Sequence, residues 1–252
     1  MKKYFKASNR SVALVQQVAM AVAIIGLFFA DFSAVWIATA AVCYYLYSSV
    51  GVSMMMHRFW THKGFEFSNK IVQKIFTLIA ILAGRGSPLA WVYIHRLHHA
   101  HSDTVDDPHS PKFVGFRFFG LKSTKVENIK LFVIKDLMTK EHIFINDWYV
   151  AFIIVWAAIL ASIDLNLFYF VWALPVFVNQ MTQDLFNYFA HVSGYRNTET
   201  KDTSHNVSWL WPFILGEAWH NNHHASPKSA DFKVKWWELD PVHYLVRLVK
   251  TN

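Results

Sequence analysis

The stretch "WHNNHH", Trp219 to His224, puts three histidines, His220, His223 and His224, on a single turn of chain. On an α-helix each residue advances ~100°, so His223 and His224 lie about 60° to one side and about 40° to the other of His220. All three imidazoles share one face while the adjacent pair splays outward, a geometry for reaching two metal ions at once. The same H-x-x-H-H pattern recurs at His95, His98 and His99 within "HRLHHAH". Its repetition in one chain marks both boxes as metal ligands.

A further cluster, "HRFWTH", holds His57 and His62. Five α-helical steps rotate by about 140°, so these two share a face only if the helix ends between them, and Gly64 is consistent with such an end. His191 stands apart, at the end of an apolar run. His101, His142, His205 and His243 read as interfacial or hydrogen-bonded side chains, and His109 carries no assignment. Imidazole suits Zn, Cu, Fe or Ni, and softness alone does not choose among them. The eight box histidines with His191 make nine, too many for one tetrahedral zinc and suited to a pair of metals with open positions. The Glu-x-x-His ligand motif that soluble di-iron bundles carry on each of two helices occurs only once, at Glu217 to His220, so a di-iron site here must be rich in histidine.

The setting is a membrane. Of the 252 residues, 54% are hydrophobic and 17% aromatic, and a spanning helix needs ~20 mainly apolar residues. Spans are expected at 11–30, 34–56, 148–163 and 167–190, the third short without its flanks, and Ile71 to Ala83 reads as an interfacial amphipathic helix. The spans form two hairpins through the turns "DFS" (Asp31 to Ser33) and "DLN" (Asp164 to Asn166), neither of which carries Lys or Arg. Every basic residue lies elsewhere, which puts both termini and the segments 57–147 and 191–252 in the cytoplasm. The net charge of +7 then suits anionic headgroups and acidic protein partners, with no need of nucleic acid. The first apolar run reads as an anchor rather than a cleaved signal. The lone Cys43 excludes an internal disulfide and reads as packing. No repeat or flexible linker divides the chain, so one domain is expected.

The last span carries Gln180, Asp184, Asn187 and His191 along one helical stripe at steps of four, three and four. A charged group inside a span costs about 2.5–3.5 kcal/mol, so such a stripe is a functional hypothesis by default.

From His57 to about Asp240 the chain resembles the membrane fatty-acyl desaturases of the stearoyl-CoA and bacterial acyl-lipid type. "HRFWTHKGFE" looks like that family's first box, "HRLHHAHSDTVDDPHS" its second, and "GEAWHNNHHASPKSA" with "WWELD" its third. The resemblance implies an all-α, mushroom-like membrane protein, with four spanning helices under a cytoplasmic helical cap that holds two irons. It implies His57, His62, His95, His98, His99, His191, His220, His223 and His224 as ligands, with Asn187 of "NYFAH" reaching a metal through water. Candidates for fixing the imidazole tautomers are Asp103, Asp106, Asp107, Asp184 and Glu217. Where acyl-CoA desaturases of animals and yeasts tend to carry Arg-Asp before the second box, this chain has Tyr93 and Ile94, which weakens the case for the usual CoA headgroup and leaves a lipid-linked acyl chain or a differently held thioester.

The implied reaction is O₂-dependent insertion of a cis double bond, at the Δ9 position, into a long-chain acyl group. Two electrons must come from a separate donor, ferredoxin-like or a b5-type cytochrome, because no G-x-G-x-x-G motif appears and the chain is too short for a fused donor domain. Counting back from His57 in fours, Ser53, Ser49 and Tyr45 fall on one α-helical face. Tyr45, about 18 Å along the axis, is expected to close a substrate tunnel that Gln180 also lines. A hydroxylase on the same scaffold and a metal transporter or sensor are the other readings. Product mass separates the first. Ligands lying at the membrane edge rather than across it argue against the second.

Overall fold

The computed structural model describes residues 2–108, 110–115 and 130–251, so His109 lies outside the described residues. Among them all regular structure is helical, and the nearest approach to a sheet is a pair of isolated bridges, Phe67 with Lys250 and Tyr195 with Asn206. Helix α1 (Lys2–Gly26) and α2 (Ala34–Tyr45) form the first hairpin, and α2 runs without a break into a π-helix, Leu46–Thr61. Then come α3 (Lys70–Leu82), α4 (Pro88–His101), α5 (Pro111–Val114) and a 3₁₀ turn at Leu131–Leu137. The second hairpin is α6 (Lys140–Ile163) with α7 (Leu165–Leu167), which leads through a π-turn, Phe168–Ala173, into α8 (Leu174–Phe189). Short helices α9 (Trp211–Ile214) and α10 (His220–Ala225) precede α11 (Pro241–Val249).

Local chemistry sets these boundaries. Ser87 caps α4, accepting from the Ala90 amide at 3.2 Å, and Pro88 follows at the first helical position, where a missing N–H costs nothing. Asn69 caps α3 by accepting from the Ile71 amide at 2.8 Å. Asp164 ends α6 and caps α7, accepting from the Asn166 amide at 2.7 Å.

Among the described residues two helices are long and apolar enough to cross a membrane, Ala34–Thr61 (28 residues) and Lys140–Ile163 (24 residues), and Val12–Gly26 is a shorter apolar helix. The third expected span starts at Lys140 rather than Trp148, because Thr139 caps the helix there and its polar first turns continue the same helix. Outward rows such as Phe28, Phe29, Val35, Ile154 and Ile159 are exposed, as a hydrocarbon solvent requires. Between the helices, polar side chains find partners: the Tyr47 hydroxyl donates to the Val171 carbonyl at 3.0 Å, and the Trp172 indole to the Leu82 carbonyl at 3.1 Å. The tips of the hairpins meet, the Asp31 amide donating to Asn166 Oδ1 at 3.0 Å. The histidine boxes all lie at the opposite end.

Helix α3 lies against the π-helix through Ala80 and Ala83, and Gly51 permits the approach: a Cβ there would stand 3.2 Å from the Ala83 methyl and 3.3 Å from the Ala80 backbone. Its other side leaves Ile71, Ile75 and Leu78 exposed. Over this end sits a cap core in which Met54, Met55 and Met56 pack with Trp60, Leu89, Val92 and Tyr93. A smaller core of Phe186, Val207, Trp219 and Phe232 backs α10.

Candidate metal centre

The π-helix decides how the first box works. Its i→i+5 hydrogen bonds, among them His62 N–H to His57 O at 3.1 Å, bring residues five apart round to the same face. The His57 and His62 rings lie 4.9 Å apart, and the helix ends at Thr61 with His62 as its cap residue. The expected end is found just before His62, and the wider helical pitch leading into it turns both rings to one face.

The nine histidines gather into two groups. His57, His62, His95, His99 and His223 form one, and His98, His191, His220 and His224 the other; within each, one ring nitrogen per residue lies within 4.8 Å of all the others. Each H-x-x-H-H box divides between them. His95 and His99 go to the first group and His98 to the second, while His220 and His224 go to the second and His223 to the first. Nε2 atoms converge: His57 to His223 at 2.9 Å, His223 to His99 at 3.0 Å, His99 to His95 at 3.1 Å, and His191 to His220 at 3.0 Å.

Carboxylates stand behind four of the rings. The Nδ1–H groups of His57, His98, His191 and His224 donate to Glu217 at 2.6 Å, Asp107 at 3.0 Å, Asp103 at 3.1 Å and Asp202 at 2.7 Å. A ring held in this way presents its Nε2 lone pair inward. Burial first, and then neighbouring imidazoles, pushes His62 down to about 2 and sets His95, His99, His220 and His223 well below the usual histidine range. Burial also lowers His224, to about 4, against the opposing pull of Asp202. These rings are neutral at physiological pH, the form that ligates metal. Although burial alone would raise Asp103, Asp202 and Glu217, interactions with His191, His224 and His57 hold all three below the usual carboxylate range.

The donor set fits metal. Neighbouring ligands on one ion with bonds of ~2.1 Å stand ~3 Å apart, which is the separation of the facing Nε2 atoms. His62 Nε2 and His224 Nε2 are buried without a hydrogen-bond partner. A cation satisfies such converging lone pairs together, where hydrogen bonds between the rings satisfy them only in pairs.

A cavity reaches both groups through His57, His95, His98, His191 and His220, and Val52, Arg85, Trp91, Gln183, Phe186, Asn187 and Glu217 complete its wall. Trp91 stacks on His95 with ring centres 4.7 Å apart. Asn187 thus shares this cavity with histidines of both groups. The residues expected to line a tunnel, Tyr45, Ser49, Ser53 and Gln180, do not line this cavity. In a π-helix the residue one turn before His57 is Val52, and Val52 lines the cavity, whereas Tyr45 is 40% exposed and donates to the Pro212 carbonyl at 2.6 Å. Ser49 is buried within the helix, and the Ser53 hydroxyl donates to Glu217 instead of facing substrate. Gln183, not Gln180, faces the cavity; Gln180 bridges Arg85 to Asp184, its amide donating to Asp184 Oδ1 at 2.6 Å. Asp184 therefore supports Gln180. Asp106 is exposed and backs no histidine among the described residues.

Several functional neighbours carry no sequence signal. Asp202 sits in an ordinary Asx turn, accepting from the Ser204 amide at 3.0 Å, and only the fold brings it to His224. Arg58, 1% exposed, donates to Asp240 at 2.8 Å and to Glu217 at 3.4 Å. Asn222 donates to Glu238 and to the Phe232 carbonyl, both at 2.8 Å, while Asn197 and Asn206 donate to its Oδ1. Of the remaining histidines, His243 donates to the Ala230 carbonyl at 3.1 Å and His142 packs edge-on to Trp60.

Residues 30–249 match the family model described as fatty acid desaturase. The chain belongs to the fatty acid desaturase family. This desaturase is an oxidoreductase, and its apolar helices fit membrane association. It is 31% identical to "Delta-9 acyl-lipid desaturase 1" of Arabidopsis thaliana over 88% of this chain and 75% of that protein. Identity is also 31% with "sn-1 stearoyl-lipid 9-desaturase" of Anabaena variabilis, over 87% of this chain and 82% of that one. With "Acyl-CoA C20 Delta5-desaturase" of Anemone leveillei it is 33%, over 83% and 70%.

Proposed function

We infer that this desaturase introduces a cis double bond at the Δ9 position of a long-chain acyl group carried on a lipid, using O₂ and a pair of irons held by the nine histidines. The observation that carries the reading is the two convergent histidine groups opening on one shared cavity. Bound iron, with O₂ and two electrons, supplies the oxidising power that removes two hydrogens from an unactivated methylene pair. The protein's own share is positioning and exclusion of water. Val52, Phe186 and Trp91 give the acyl chain an apolar wall beside the histidines, and the four carboxylates keep the imidazoles aimed. Asn187, which lines the shared cavity, would hold water at the four-histidine group.

The Δ9 position and the lipid headgroup follow the names of the Arabidopsis and Anabaena relatives. Tyr93 supports the headgroup: it is a buried, neutral side chain whose hydroxyl accepts from the Lys130 amide at 2.9 Å, so it brings no positive charge to a CoA phosphate. The reading includes one domain, four spans and a cytoplasmic cap. A small acidic electron carrier, ferredoxin-like or a b5-type cytochrome, suits the exposed Lys63, Lys135, Lys233 and Lys235 of that cap. Expression in a host that makes no unsaturated fatty acids tests the reading: growth without added oleate is expected for the native chain and not for His223→Ala. A native chain that is present in the membrane but yields no unsaturated lipid would overturn it.

A further inference from the structure

The two histidine groups are backed unequally. In the four-histidine group three rings, His98, His191 and His224, donate to carboxylates. In the five-histidine group only His57 does so among the described residues, and its partner Glu217 is shared with the buried Arg58 guanidinium. Asp103 and Asp202, by contrast, are held by neutral donors: Thr203 N–H at 2.7 Å and Thr203 hydroxyl at 2.8 Å for the first, Thr200 hydroxyl at 2.6 Å and Ser204 N–H at 3.0 Å for the second. These bonds fix each carboxylate without neutralising it.

A carboxylate behind an imidazole raises its basicity and fixes its tautomer, and its loss costs about 10–100-fold in metal affinity. Negative charge close by also stabilises the higher metal charge. We propose that the two metal positions are inequivalent: the four-histidine position is the tight one, filled first and emptied last, and the five-histidine position is the labile one. Asp202, Asp103 and Asp107 are then positioning residues for the tight metal, and Glu217 for the labile one. The proposal rests on the two-iron reading.

The test is iron release from the purified, full-length iron-loaded enzyme in detergent, challenged with a ferrous chelator and followed by absorbance of the chelate. The protein left at the midpoint is examined by Mössbauer spectroscopy. Two phases of one iron each are expected, separated about 10-fold or more in rate, with a single quadrupole doublet remaining after the first. Asp202→Asn, which keeps the shape and removes the charge, is expected to speed the slow phase about 10–100-fold while leaving the fast phase alone. Glu217→Gln is expected to do the reverse. Asp107→Asn serves as a second probe of the slow phase should Asp202→Asn fold poorly, with elution volume and circular dichroism checking each variant. Release of both irons in one phase, or acceleration of the fast phase alone by Asp202→Asn, would overturn the proposal. Fresh enzyme binding fewer than two irons per chain would instead overturn the two-iron reading beneath it.

Discussion

Glu217 collects a serine hydroxyl, a guanidinium and an imidazole from one stretch of π-helix, through Ser53, Arg58 and His57. Such a knot works only if nothing crowds it, and Gly216 is why it is not crowded: a Cβ there would run into the Asp240 carboxylate and come within 2.8 Å of Arg58 Nη2. Gly216→Ala is therefore expected to break the buried Arg58–Asp240 pair, at a cost of about 3–5 kcal/mol, and to lower iron content. Thermal unfolding and iron per chain measure both, and an unchanged melting temperature would contradict the placement. Cavity shape makes a second residue-scale test. Val52→Phe is expected to shorten the acyl chains accepted, while Tyr45→Ala leaves the chain-length profile alone and forfeits only the bond to Pro212, about 1 kcal/mol. Gas chromatography of product lipids reads both. The histidines were legible in sequence because their spacing is local: three on one turn need no fold to bring them together. Asp202 was not, since it lies 22 residues from His224 and its own surroundings read as a turn.

At the scale of elements, the α-helical ruler failed in one place for a physical reason. Steps of about 100° cannot bring His57 and His62 together, but wider i→i+5 turns do, and the same change of pitch replaces Tyr45 with Val52 at the cavity wall. Composition carries no signal for such pitch; only the five-residue spacing of the histidines hints at it. Helix α10 poses a different problem, because six residues do not hold a helix by themselves. Its two asparagines anchor it: Asn221 Oδ1 accepts from the Asn197 and Thr198 amides at 2.8 and 3.0 Å, and Asn222 ties it to Glu238 and Asn206. Leaving several buried groups unpaired costs about 1–3 kcal/mol each. Asn222→Leu is thus expected to destabilise the cap by more than ~3 kcal/mol and to empty both metal positions together. Denaturant unfolding with iron analysis checks it, and a variant with native iron content would show that α10 is held some other way.

Across the whole molecule, the hairpin tips and the histidine groups occupy opposite ends, tied at one end by Asp31 and Asn166 and at the other by the cap. Hydropathy made the helical hairpins legible, while the start of α6 was not, since its first turns are polar and enter the helix only through the Thr139 cap. A reporter fused after Asn252 is expected to read cytoplasmic, and one inserted in the turn Asp31 to Ser33 to read the far side. The same compartment for both would break the four-span topology. The central claim is that these histidines serve removal of hydrogen rather than addition of oxygen. Feeding perdeuterated stearic acid to cells that express the chain, and weighing the acyl groups of their lipids, tests it most directly. Loss of two deuterium atoms with a double bond between the ninth and tenth carbons is the result expected, absent in His223→Ala; retention of every deuterium, or replacement of one by hydroxyl, would contradict it.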